Sequence, residues 1–364
     1  MKKRISIILT AAAAIVCAGC AKTAETGIYD DDVRYLKAWL KADHPEIVGE
    51  IVRNAETGLP DTLGRGVYLL SETAGTGGKK AAKGDYVTLS YTVTDMEGTI
   101  SSYTEKETAK KLGAYNGANF YGPKIVSIAA GQNYAGVIDA VAGMEVGGER
   151  TVFIPKWLMS TQDHESESGY LAASSSASHA IYRIKLTGII EDVGKYQIDE
   201  IEKYLKDNVI GKMKLESGEF VTKVDTTGTV GACRGFYFIP VTDTTGHRTF
   251  PSDTTVKINY TGMRLDGQAF DTTLERVAKD NGIWSSSTTY ETKSVTWGGS
   301  FSELQMGGSS LISGFSKTLW QMNSGTGIGI FWSDLGYGSS GSGNMIPGYS
   351  PLMFRIEIIG GEDK

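Results

Sequence analysis

In the stretch Thr255–Thr273, Val256, Ile258 and Tyr260 alternate with polar residues and fall on one side. A period of two predicts a strand with one buried face. Leu265-Asp266-Gly267 has the composition of a tight turn, and Phe270-Asp271 begins the return strand. A phenol, an aromatic ring and a carboxylate therefore converge on one side of a hairpin. The same alternation predicts strands through Val87, Leu89 and Tyr91, through Ala180, Tyr182, Ile184 and Leu186, and through Leu352, Phe354, Ile356 and Ile358. Helical spacing appears in four places: Val33, Leu36 and Leu40; Ile198, Ile201, Leu205 and Val209; Val137, Val141 and Met144; and Phe315, Leu319 and Met322. The last two stripes predict one core helix each, with Gly147 and Gly325 as left-handed caps.

These elements repeat. Tyr35-Leu36-Lys37 returns as Tyr204-Leu205-Lys206, Arg65-Gly66 as Arg234-Gly235 and Tyr91-Thr92 as Tyr260-Thr261, each 169 positions on. Each unit reads as a helical lead-in, strands, one core helix and a closing strand. A short helix against an antiparallel sheet is an α+β architecture. The expected boundaries are 1–19 for a signal peptide, 20–60 for a tether and helical segment, 61–192 for one sheet domain, 193–230 for a helical linker and 231–364 for a second sheet domain.

The N-terminus changes the picture of where the chain resides. Lys2, Lys3 and Arg4 precede an apolar run from Ile5 to Val16, and Cys17-Ala18-Gly19-Cys20 follows. Small residues before Cys20 resemble a bacterial lipobox, which implies cleavage there and a lipid on the Cys20 sulfur. The expected address is the bacterial cell envelope, lipid-anchored, at the outer membrane. Losing those three cations takes the net charge from −6 to −9. An acidic surface argues against nucleic acid as partner. Besides Cys20, only Cys233 remains in the mature chain, read as a small buried hydrophobe. His44, His164, His179 and His247 lack metal-ligand spacing, and no nucleotide loop or cofactor fingerprint is present, so neither metal nor cofactor is expected.

Four blocks then occur in order: YTGMRLDGQAFDTT, SLISGFSKTLWQMNSG, SDLGYG and MIPGYSPLMFRIEI. Together, over about residues 235–360, they resemble the FKBP-type peptidyl-prolyl isomerases. The resemblance implies a twisted sheet wrapped around one short helix and an aromatic cup that takes a prolyl ring. It implies Tyr260 on the cup wall, the pair Phe270 and Asp271 after the hairpin turn, and Phe315 as the floor aromatic. It also implies Leu311 and Ile312 as the aliphatic pair before the helix. Tyr337 is then the loop tyrosine that bonds a substrate carbonyl, Ile346 the flap residue and Phe354 the last aromatic.

The chain departs from the family pattern by an insertion of roughly 20 residues after Asp271, by a missing proline before Ser333-Asp334-Leu335, and by a Gly- and Ser-rich flap at Ser339–Asn344. In the first unit Ser101 and Ser102 stand at the positions of Phe270 and Asp271, and Val137 at that of Phe315, so that copy is expected to be non-catalytic. The implied function is isomerisation of X-Pro bonds in exported proteins by the second domain. The alternative is a binding or assembly module on the same scaffold. Trp284, Trp297 and Trp332 raise a third reading, stacking on sugars.

Overall fold

The alternating runs pair with one another into two antiparallel sheets. The computed structural model describes residues 51–55, 60–162, 164, 169, 177–224, 234–242 and 250–362, together with Arg34, Leu36, Ala38 and Trp39. The first half contains β1 (Asp61–Leu63), β2 (Val67–Thr73), β3 (Tyr86–Thr94), β4 (Ile100–Tyr103), β5 (Lys124–Ser127), β6 (Glu149–Ile154) and β7 (Ala180–Ile190), with helices α1 (Lys106–Lys111) and α2 (Ala135–Val141). Helix α3 (Val193–Tyr204) runs on into a π-helical turn at Leu205–Val209. The second half contains β8 (Phe236–Pro240), β9 (Thr255–Arg264), β10 (Ala269–Thr272), β11 (Lys293–Thr296), β12 (Gln305–Met306), β13 (Ser309–Ser310), β14 (Gly325–Phe331) and β15 (Leu352–Glu362). Its helices are α4 (Glu275–Asp280) and α5 (Ser313–Trp320).

The first sheet has the order β1-β2-β6-β7-β3-β4, with β5 also on β3; the second has β13-β12-β11-β9-β15-β14-β8, with β10 also on β9. The run β2-β6-β7-β3 thus has the order of β8-β14-β15-β9. The registers agree as well. Tyr91 pairs with Ile184 as Tyr260 pairs with Ile356, and Val93 lies between Tyr182 and Ser102 as Gly262 lies between Phe354 and Asp271. This is the expected α+β architecture of antiparallel sheets with few, short helices. Both sheets lie in one compact unit, residues 50–364. Arg34, Leu36, Ala38 and Trp39 are helical and fall in a separate unit, residues 1–49. The rest of the helix expected around Val33, Leu36 and Leu40, with Cys17, Cys20, Cys233, His44 and His247, lies outside the described residues.

One face of the second sheet closes on α5, and Val256, Ile258, Phe315, Leu319, Phe354 and Ile356 form the core there. The opposite face is covered too. Tyr237, Ile239, Ile328, Ile330 and Met353 pack against Ile201, Leu205 and Val209 of α3 and its π turn. Two-sided burial is why Phe236–Ile239 shows no alternation: all four residues are buried.

Both helix caps differ from expectation. Gly147 and Gly325 do have positive φ, +86° and +63°. Yet α2 stops at Val141, with left-handed Gly143 just past its cap, and α5 stops at Trp320. Gly147 lies in the turn into β6, and Gly325 opens β14 pressed against Thr242. Positive φ serves turns as well as caps, so glycine after an apolar stripe does not by itself mark a helix end.

Helix α2 carries a fully buried carboxylate. Arg65 donates to Asp139 Oδ2 from its amide at 2.9 Å and from Nε at 2.7 Å, and Lys83 Nζ lies 2.6 Å from Oδ1. Burial pushes the Asp139 carboxyl up, but Arg65 and Lys83 outweigh it and hold the group below its ordinary value of 3.8. A depressed folded pKa contributes stability above the unfolded value, and that contribution is lost as pH falls through the folded one. Asp139→Asn is expected to lower unfolding free energy by about 2 kcal/mol, since Arg65 and Lys83 are partly exposed and only part of a buried-pair penalty applies. Urea denaturation at neutral pH checks this. The gap between wild type and variant should narrow as pH falls from 3.8 through the lower pKa of the folded state, where the wild-type carboxylate becomes protonated too.

Candidate active site

The site grows from one pairing in the ladder. Phe354 on β15 stands opposite Gly262 on β9. On the other side of Gly262, β10 carries a bulge between Ala269 and Asp271, which turns Phe270 inward. A Cβ on Gly262 would lie 2.7 Å from both Phe270 Cε2 and Phe354 Cε1. Only a glycine lets the two rings meet over the strand. Gly314 does the same at the start of α5, where a Cβ would fall 2.3 Å from the Phe331 ring.

Phe354 is the hub of the cluster. Phe315 meets it edge to face at 5.1 Å and 82°, Phe270 at 5.6 Å and 77°, and Phe331 lies parallel to it at 5.8 Å. Tyr260 is 6.3 Å from Phe354 and stands perpendicular to Phe315 at 5.3 Å. Such pairs contribute about 0.5–1.5 kcal/mol each beyond area burial. Phe270, Phe315, Phe354 and Ile346 are buried and form a dry floor. Leu311 and Ile312 pack half-buried against the same cluster at the start of α5, where the Ile312 carbonyl accepts the bond from Ser316 N–H.

The rim is polar. Tyr260 Oη donates to Asp271 Oδ2 at 2.8 Å. Tyr337 follows the 3₁₀ turn Ser333–Leu335, and its ring faces Phe270 edge-on at 6.5 Å while 37% exposed. Burial raises the Tyr260 hydroxyl well above the usual phenol range, and the Asp271 carboxylate adds to the effect. Tyr337 is raised by the same two causes in the same order. Both phenols therefore keep their protons at neutral pH. Asp271 serves as acceptor to Tyr260, not as a free base. All nine residues named for this site from the sequence thus gather in one ring-lined region; Cys20 lies outside the described residues.

Two contributors were not singled out beforehand. Gly262 had a signal, a glycine inside an alternating strand, which marks close approach of neighbours. Arg264 had none. Its buried guanidinium donates to Met345 O at 2.6 Å and Ala118 O at 3.1 Å and pairs with Asp266 at 2.9 Å. The tryptophans divide. Trp297 is core, stacked on Trp320 at 5.2 Å; Trp332 packs over Gly194 and Gly235; and Trp284 is exposed, donating to Glu275 at 3.1 Å. Among the described residues, no group of three or more His, Cys, Asp or Glu side chains is arranged to hold a metal ion. Nor is any helix among them long and apolar enough to cross a membrane.

The first half repeats the frame without the rings. Tyr91 and Tyr182 lie 6.4 Å apart at 43°, the geometry of Tyr260 and Phe354 at 6.3 Å and 43°. Ser101, Ser102 and Val137 occupy the positions of Phe270, Asp271 and Phe315.

Comparison with known proteins matches this region. The family model of the FKBP-type peptidyl-prolyl cis-trans isomerases covers residues 246–359. The chain is 31% identical over 130 residues to the macrophage infectivity potentiator of Trypanosoma cruzi, spanning 35% of this chain and 54% of that protein. It is 31% identical over 106 residues to FK506-binding protein 2 of Dictyostelium discoideum, spanning 29% and 63% respectively. Among solved structures, FkpA of Escherichia coli matches at 20% identity with a TM-score of 0.28, over 47% of this chain and 62% of that one. The motif order, the ring cluster on β9, β10, α5 and β15, and the family match converge on the same residues: 246–359 match the family model of the FKBP-type peptidyl-prolyl cis-trans isomerases, and the chain spans less than two thirds of the length of these relatives.

Proposed function

We propose that the second half catalyses cis/trans isomerisation of X-Pro bonds. The observation that carries this reading is the buried floor of Phe270, Phe315 and Phe354 beneath a rim of two protonated phenols. Amide resonance resists twisting with a barrier of about 18–20 kcal/mol. Resonance separates charge, and water stabilises that separation. A prolyl ring seated on the floor leaves water behind, so the planar amide loses stabilisation that the twisted amide does not need. Tyr337 Oη, still protonated, donates to a substrate carbonyl and holds the chain across the twist. Tyr260 is kept in orientation by Asp271. No bond is made or broken, and a 10⁴-fold gain needs only about 5.5 kcal/mol off the barrier.

The same domain lies in a chain whose first twenty residues have the pattern of a lipoprotein signal. We place it in the bacterial cell envelope, anchored through Cys20 at the outer membrane, with proline-containing segments of exported proteins as substrates. The first copy, 61–192, lacks Phe270, Asp271 and Phe315 counterparts and takes no part in catalysis on this reading. Labelling with a fatty acid in the bacterial host is expected to mark the wild-type chain and to be lost in Cys20→Ala.

Three further outcomes are expected. In exchange spectroscopy on a short prolyl peptide, Phe354→Ala and Tyr337→Phe should lower kcat/KM, by about tenfold or more for the first and by several-fold for the second. Gly262→Ala should reduce activity as well, and should lower stability by about 1–3 kcal/mol through overpacking. If Phe354→Ala retains full activity while folded, the isomerase reading fails. Because both phenols are raised, kcat/KM should be flat between about pH 6 and about pH 9, with no basic limb from tyrosine ionisation in that range.

A further inference from the structure

The first sheet encloses a cavity of about 690 Å³ on the face that corresponds to the isomerase floor. Its origin can be traced residue by residue. The β3–β4 register puts Ser101 where β9–β10 puts Phe270, with a bulge at the same point in each pair. Gly136 and Gly314 begin the two core helices in equivalent contact, one against Ile154 and the other against Phe331, the last residues of β6 and β14. Val137 therefore stands where Phe315 stands. Three phenyl rings of the second half are replaced by serine, valine and isoleucine. The partner of those rings is kept in type, since Tyr182 replaces Phe354 and holds the same geometry to Tyr91.

The replacements are coupled. Gly262 must be glycine because Phe270 and Phe354 press on it. At its counterpart the chain has Val93, a side chain that can stand there because Ser101 carries no ring. Among the described residues, the first cup is therefore consistently repacked around a cavity. Val93, Val126, Val137 and Ile184 are part of its apolar lining, with the Tyr91 and Tyr182 rings, while Asp95, Asn133 and His179 add polar groups. Burial raises the Tyr182 hydroxyl, so that wall stays uncharged at neutral pH. Ser101 and Ser102 of β4, the terminal strand of its sheet, line the cavity as well. An edge strand offers backbone groups to an incoming extended chain.

We propose that this cavity is a receptor for an aromatic side chain, phenylalanine or tyrosine, carried by an extended polypeptide segment. The incoming ring takes a place that Phe315 or Phe270 holds in the second half and meets Tyr182 and Tyr91 as those rings meet Phe354 and Tyr260. The backbone on either side runs along β4. The first half would then grip a client chain by an aromatic residue, independently of whether the second half turns a proline.

Titration of the full chain with four peptides, acetyl-Ala-X-Ala-amide with X as Phe, Leu, Pro or Ala, followed by amide chemical shifts, tests this. The Phe peptide is expected to bind about tenfold or more tightly than the Ala peptide and tighter than the Leu peptide, shifting the Val93, Ser102 and Val137 amides. The double substitution Val93→Gly/Ser101→Phe rebuilds the ring pairing of the second half and should bring Phe-peptide binding down to the Ala level. Val137→Phe fills the same space from the helix side and reads the same position if the double variant does not fold. Equal binding of Phe, Leu and Ala peptides overturns the proposal, as does preference for the Pro peptide or unchanged Phe binding in a folded ring-restoring variant. Exchange spectroscopy on a prolyl peptide in the same variants keeps the two functions apart, since isomerisation by the second half should be unchanged in them.

Discussion

The second half depends on the close approach of two phenylalanine rings across a strand that has no side chain to separate them. Gly262 sits in β9 between Phe270 on one neighbour and Phe354 on the other. Phe354 then supports Phe315 and Phe331 through the same ring. A floor built this way is rigid because each ring is held by at least one other, and it is dry because the rings are buried. That is the property an amide-twisting site needs, since the chemistry acts through what the site excludes. The counterpart position shows the constraint from the other side: with a serine at 101, valine becomes acceptable at 93, and a hollow replaces the floor.

Much of this was legible in the sequence, for a physical reason. β3, β7, β9 and β15 each pack at least one face on a core, so alternation of Val, Ile and Tyr with polar residues records their orientation. The ring cluster was legible through the order of four motifs, but its contacts were not. Nothing in the spacing of Phe270, Phe315 and Phe354 states that they meet edge to face. The second core beneath α3 was hidden for the opposite reason. Phe236–Ile239 is apolar throughout, and an unbroken run tells that both faces are covered without telling by what. Gly147 and Gly325 misled because left-handed φ is a local property that turns and caps share.

Arg264 was illegible because, apart from Asp266, its hydrogen-bond partners are backbone carbonyls remote in sequence. Its guanidinium joins Met345 of the flap to Ala118 of the first half, and it lies over the Phe120 ring at 5.5 Å. Phe120 N–H donates to Asn344 O at 2.9 Å, and Tyr86 meets Tyr349 edge to face at 5.5 Å. The segment so held is the one that carries Ile346 into the ring cluster. Ser339–Asn344 is made of residues with little intrinsic preference for one backbone conformation, and much conformational entropy is lost when it is ordered.

That loss has to be offset by contacts, and several of them come from the first half. The short bridge between Ser342 and Ile346 closes the flap on itself, at 2.7 Å and 3.1 Å. Phe120, Ala118 and Tyr86 then fix it in place against the second sheet. The first half therefore contributes to the geometry of a site whose ring residues it does not share. The first half still has surface shaped to the second, because the contacts that order the flap use backbone carbonyls and a phenylalanine ring that lie outside the first cup. The two halves can thus diverge inside their cups while the packing between them remains, and this separation of cup from interface is what allows one frame to hold a filled floor in one half and an open hollow in the other.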